Sequence, residues 1–174
     1  MIKAFIVVLV SATMVLGQTI DEYEVKAAFL YNFTKFVEWT NVPGTDTFNI
    51  CIFGDDPFGG SLDRLVKGKT AYNLKIQVRR IKEAAEARQC QIVFVRREED
   101  AKAARLIEAV RGMPVLTVSE YRKFVTMGGI IFFSTKEGRV SIGINAQPAE
   151  SAGLKISAKL LNISKIGKDE SEEP

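Results

Sequence analysis

The stretch FNICIFG, residues 48–54, sets the frame for what surrounds it. Before its glycine it has one polar residue, and two of the rest are branched isoleucines. A half-exposed strand alternates apolar with polar side chains. This run does not, so it reads as a strand buried on both faces. QIVFV, residues 91–95, has the same character, and PVLTV, residues 114–118, is a third apolar strand candidate. LKIQVRR, residues 74–80, alternates as a strand does.

Helix signals fall between these strands. Asp56 fits an N-cap and Pro57 a first helical position, for a helix running to about Val66 and ended by Gly68. Residues 82–89 read as a short helix or turn. Residues 98–111 read as a helix with Ala101, Ala104, Ile107 and Val110 on one face and Gly112 beyond it. Ser119 can cap a helix carrying Tyr121 and Phe124 that ends near Gly128-Gly129. IIFFST and RVSIGIN then flank Lys136-Glu137-Gly138, where Glu-Gly signals a tight hairpin. A last helical region covers 148–166, and NVPG, residues 41–44, makes a turn. Regular strand–helix alternation predicts a layered α/β sandwich with a mostly parallel sheet and an antiparallel C-terminal hairpin at its edge.

Ahead of the first strand lies EVKAAFLYNFTKFVEW, residues 24–39. On a helix, Val25, Phe29, Phe33 and Phe36 form one stripe, widened by Leu30 and Val37, with Thr34, Lys35, Glu38 and Tyr31 mostly opposite. Its two lysines are balanced by two glutamates, so the pattern is a helix laid on a sheet and not a membrane anchor. Trp39 and Tyr31, at the edge of the stripe, are the candidates for surface contact.

MIKAFIVVLVSATMVLG, residues 1–17, has one lysine and then an uncharged apolar run shorter than the ~20 residues of a membrane span. It reads as a secretory signal cleaved after Gly17, with an uncleaved anchor as the alternative. The expected organisation is a signal at 1–17, one domain at 18–166 and an acidic disordered tail at 167–174.

The 174-residue chain contains no histidine and two cysteines. Ser–His–Asp and Cys–His catalysis and histidine-containing or four-thiolate zinc sites are thereby excluded. No catalytic set, metal site or cofactor site is read from the chain. Asp55-Asp56 resembles the magnesium pair of a phosphoreceiver domain, but Arg96 follows IVFV where the acceptor aspartate would stand, and capping is the preferred reading. Gly128-Gly129 lacks the spacing of a phosphate loop. The 24 basic residues oppose 21 acidic ones and are scattered, unlike the basic stripe of a nucleic-acid binder. Cys51 and Cys90, an even pair in an exported chain, read as a disulfide; two separate buried thiols and a redox-sensing pair are the alternatives.

EYEVKAAFLYNFTKFVEW, CIFGDDPFG, the Cys51–Cys90 spacing, PVLTV, GGIIFF, GRVSIGIN and AGLKISAKLL, in that order from about Tyr23 to Leu161, resemble the YfiR-like family of exported bacterial proteins. The resemblance implies a periplasmic α/β sandwich, often dimeric, stapled by a disulfide that Cys51 and Cys90 match. It also implies a non-enzymatic protein that binds the periplasmic sensor portion of an inner-membrane diguanylate cyclase and holds it inactive. Release of that hold raises cyclic di-GMP and promotes biofilm formation. A second, later cysteine pair of some members has no counterpart here. RVSIGIN departs from the expected pattern too, with Gly143 where an acidic residue is expected before Ile-Asn. Gly143, Asn145, Lys155 and Ser157 are the candidate partner or ligand contacts. The rival reading is a periplasmic small-ligand-binding accessory protein of a transporter or sensor kinase. A neighbouring reading frame encoding a membrane protein with a GGDEF output domain would favour the first.

Overall fold

The computed structural model describes residues 21–40, 46–96 and 100–169. The expected signal, the 41–44 turn and the end of the acidic tail lie outside the described residues. Helix α1, Glu22–Phe36, starts at Asp21, whose carboxylate accepts the Tyr23 N–H, and gives way directly to strand β1, Val37–Trp39. There follow β2 (Thr47–Phe53), α2 (Ser61–Val66), β3 (Thr70–Ala71), β4 (Leu74–Ile81), a 3-10 turn at Ala84–Gln89, β5 (Ile92–Val95) and α3 (Asp100–Ala109). The chain continues through β6 (Leu116–Ser119), α4 (Lys123–Thr126), β7 (Ile131–Lys136), β8 (Arg139–Ile144), α5 (Ala146–Ser151), β9 (Leu154–Ile156) and α6 (Ala158–Asp169).

Seven strands form the main sheet in the order β3-β4-β2-β5-β6-β7-β8. The five from β4 to β7 are mutually parallel, while β3 and β8 pair antiparallel at the two edges. The 48–54 stretch is thus a central strand, paired on both sides and buried along its length. Its side chains alternate between two cores. Phe48, Ile50 and Ile52 face one layer, made by α1, α2, α5 and α6; Cys51 and Phe53 face the other, made by the 3-10 turn, α3 and α4. In β5, Ile92 and Phe94 join the first core and Val93 and Val95 the second. Both faces are covered, which is why the run carries no polar alternation. The β7–β8 hairpin turns on Glu137 and Gly138, both at positive φ, as a tight two-residue turn of this hand requires.

Cys51 and Cys90 form a disulfide, with Cα atoms 6.0 Å apart, tying the middle of β2 to the end of the 3-10 turn. A loop of this length contributes roughly 4 kcal/mol at most through the unfolded chain.

Several local expectations are corrected. Asp56 caps a turn through the Phe58 N–H, and α2 begins later, with Gly60 at its N-cap. The buried stripe of α1 is rotated to Lys26, Ala27, Leu30, Phe33 and Thr34, leaving Val25, Phe29 and Phe36 half-buried. Trp39 is buried on β1, not a surface contact, with its ring against Phe48 and Tyr72 and its indole N–H on Pro114 O at 3.0 Å. The buried face of α3 is Ala103, Leu106 and Ile107, with Val110 buried just past its end; Ala101 and Ala104 are exposed. Ser119 belongs to β6 and donates to Val95 O at 2.7 Å, so it caps no helix. The 148–166 region is two helices separated by β9, which pairs antiparallel with β1. Gly153, at φ +71, makes the break, and helix α6 reaches Asp169, past the expected start of the tail.

Candidate functional site

Strand β6 ends at Ser119 opposite Phe132, while β7 runs on to Lys136. This mismatch leaves a notch at the carboxyl end of the parallel sheet, the end where ligands of open α/β sheets are bound. A cleft of about 660 Å³ occupies it, walled by the start of α1, residues 120–122 after β6, and the β7–β8 hairpin.

One wall is ionic. The Lys26 side chain, only 3% exposed, donates to Glu120 at 2.7 Å and pairs with Glu22 one turn back on α1. Tyr23 donates its hydroxyl to Glu120 at 3.5 Å, and Thr135 of the hairpin donates to Glu22 at 2.9 Å. Burial opposes the charge of Lys26, but its bonds to Glu120 and Glu22 outweigh it and hold the ammonium above its ordinary pKa. The same bond from Lys26 pulls the Glu22 carboxyl below the usual carboxylate range. Burial, with the Glu120 charge, pushes the Tyr23 hydroxyl up. Lys26 and Glu22 therefore stay ionised across neutral pH, and the cluster locks α1 to the loop after β6.

The opposite wall is the hairpin. Phe132 and Gly143 are cross-strand partners, and a Cβ on Gly143 would stand 1.9 Å from the Phe132 ring. Gly143 is thus the space that the ring occupies, and the surface presented there is aromatic. Asn145 follows, its N–H on Ile130 O at 2.8 Å and its side-chain amide on Val125 O at 3.2 Å.

The four candidate contacts therefore divide. Gly143 and Asn145 line the cleft; Lys155 and Ser157 do not. Lys155 is exposed on β9 with Glu38 at 3.7 Å. Ser157 stands just ahead of α6, its hydroxyl accepting the Leu160 N–H at 3.3 Å and its own N–H on Phe36 O at 2.9 Å. Lys26 and Glu120 escaped the sequence reading because 94 residues separate them. The available hint was a lysine set inside the buried stripe of an aromatic helix. At the end of β2, Asp56 and Asp63 both grip the Arg80 guanidinium, which holds Asp63 below its ordinary range. Among the described residues, no group of three or more His, Cys, Asp or Glu side chains is placed to hold a metal ion.

The sequence profile of the YfiR/HmsC-like family matches residues 23–165, most of the chain and all of the cleft apart from Glu22. The chain belongs to the YfiR/HmsC-like family. A comparison with curated proteins found no match. In this family member the matched region takes in both cysteines, the ionic wall from Tyr23 onward and the hairpin, so cleft and family coincide along the chain.

Proposed function

We propose that this YfiR/HmsC-like protein is an exported, non-enzymatic regulator that binds the periplasmic portion of an inner-membrane diguanylate cyclase and keeps it inactive. The observation that carries the reading is the family match over residues 23–165. The structure is compatible with it: the cleft is built of ion pairs and an aromatic platform and has the composition of a recognition surface. Among the described residues, no helix is long and apolar enough to cross a membrane. Repression is differential binding, in which the regulator favours the inactive state of the sensor and shifts its population. A signal that weakens this preference releases cyclic di-GMP synthesis and biofilm formation. The cleft with Gly143 and Asn145 is the contact region assigned to the partner or to such a signal.

The cleft volume also favours a second reading, a small-ligand-binding accessory protein of a transporter or sensor kinase. Deletion of the gene followed by measurement of cyclic di-GMP separates the two. A rise restored to normal by complementation supports repression; an unchanged level under several growth conditions rejects it.

A further inference from the structure

The C-terminal half of α1 gathers cations on aromatic rings. The Lys35 and Lys69 ammonium groups lie 4.4 and 4.1 Å from the centre of the same ring, Tyr31. Lys159 lies 5.2 Å from the ring of Phe36, five residues further along α1. These lysines come from three elements: α1, the turn ahead of β3, and α6. None of them has a carboxylate within ion-pair distance among the described residues. Of the two glutamates that balance the lysines of residues 24–39 in the sequence, Glu24 sits in the first turn of α1, away from this end, and Glu38 faces Lys155 at 3.7 Å. The balance that spoke against a membrane contact is therefore not made at these lysines. Ring quadrupoles and the negative end of the helix dipole account for one ammonium here. Neither removes the positive charge of the lysines gathered here. Tyr72, in the turn after β3, is 41% exposed, one of only two large apolar side chains so exposed among the described residues. These residues line neither the large cleft nor the smaller one beside α3.

We propose that this face, Tyr31 with Lys35 and Lys69 and with Lys159 beside them, docks on the anionic lipid surface of a membrane leaflet. The three lysines offer positive charge complementary to the phosphates of such a leaflet. Long lysines around tyrosine rings suit the headgroup layer, where the ring sits at the boundary and the ammonium reaches phosphate. The attraction accumulates per lysine and is lost when salt shortens the screening length from about 10 Å to about 3 Å. The proposal rests on the exported reading above only for the presence of such a leaflet.

The test is sedimentation of the protein, purified after export, with vesicles of phosphatidylcholine alone or with phosphatidylglycerol added. The wild type is expected to sediment at low salt only with vesicles containing phosphatidylglycerol, and to be released at high salt. Lys35→Glu with Lys69→Glu is expected to weaken that binding at least about tenfold. Lys82→Glu with Lys136→Glu makes the same charge change at exposed sites at the carboxyl end of the sheet and is expected to leave binding near wild type. Circular dichroism melts are expected to show both variants folded as the wild type is, which assigns any loss of binding to charge. No binding at low salt, equal binding to both vesicle types, or equal loss in the two variants overturns the proposal. If Lys35→Glu with Lys69→Glu relieves repression in cells while the wild type ignores vesicles, the leaflet is overturned and the face belongs to an acidic protein. If deletion leaves cyclic di-GMP unchanged while vesicle binding stands, only the repression reading fails.

Discussion

At the scale of single residues, Gly143 makes the sharpest claim. Its backbone is ordinary strand, so the need for glycine comes from the Phe132 ring and not from φ. Gly143→Ala is expected to destabilise the protein by about 1–3 kcal/mol, because the ring must leave its place. Phe132→Ala in the same chain is expected to recover part of that loss. Additive losses in urea denaturation would show that the two residues are not coupled. The Glu22 carboxyl, lowered chiefly by the Lys26 hydrogen bond, gives a signed pH effect. A lowered folded pKa contributes stability that is full above the ordinary value of 4.5 and is lost as pH falls through the lowered one. Denaturation midpoints followed from neutral pH into acid are therefore expected to fall less steeply in Glu22→Gln than in the wild type. Identical acid slopes would remove Glu22 from the account. Phe132–Gly143 was not legible in the sequence because it needs the hairpin register, nor was Lys26–Glu120, which needs the whole fold; Glu22–Lys26 is a one-turn pair within α1.

At the scale of elements, the hydrophobic runs were informative and the short strands were not. Residues 48–53 and 92–95 lack alternation because helices cover both faces, which marks them as strands buried on both sides, while the strand–helix alternation carries the parallel sheet. The three-residue strands β1 and β9 sit inside helix-like sequence and exist only because they pair with each other, 117 residues apart at Glu38 and Lys155. Tyr72 holds this small sheet in place. Its hydroxyl donates to Val37 O at 3.1 Å and accepts the Trp39 N–H at 3.2 Å, occupying the edge of β1 that faces away from β9. Tyr72→Phe is expected to cost about 1–2 kcal/mol and to speed hydrogen exchange at the Trp39 amide. Unaltered exchange at Trp39 would mean that the ring stack alone secures the strand. The disulfide acts on the opposite core. Its reduction is expected to lower stability by up to about 4 kcal/mol, read as a shift of the urea midpoint with reductant. No shift would mean that packing around the pair already carries the load.

At the scale of the whole molecule, fold class and family were both legible, the first from hydrophobic patterning and the second from ordered short matches. The location of the cleft was not. It arises where β6 stops short of β7, a mismatch of strand ends that no periodicity records. Two of the four candidate contacts, Gly143 and Asn145, fall in it because they share the β8 end of the hairpin. Lys155 and Ser157 sit by the small sheet instead, outside the cleft. The central claim, repression of a diguanylate cyclase, is tested most directly by intracellular cyclic di-GMP in a strain lacking this gene. The account predicts a rise over the parent that returns to normal when the gene is restored. A level that stays at the parental value under several growth conditions would contradict it.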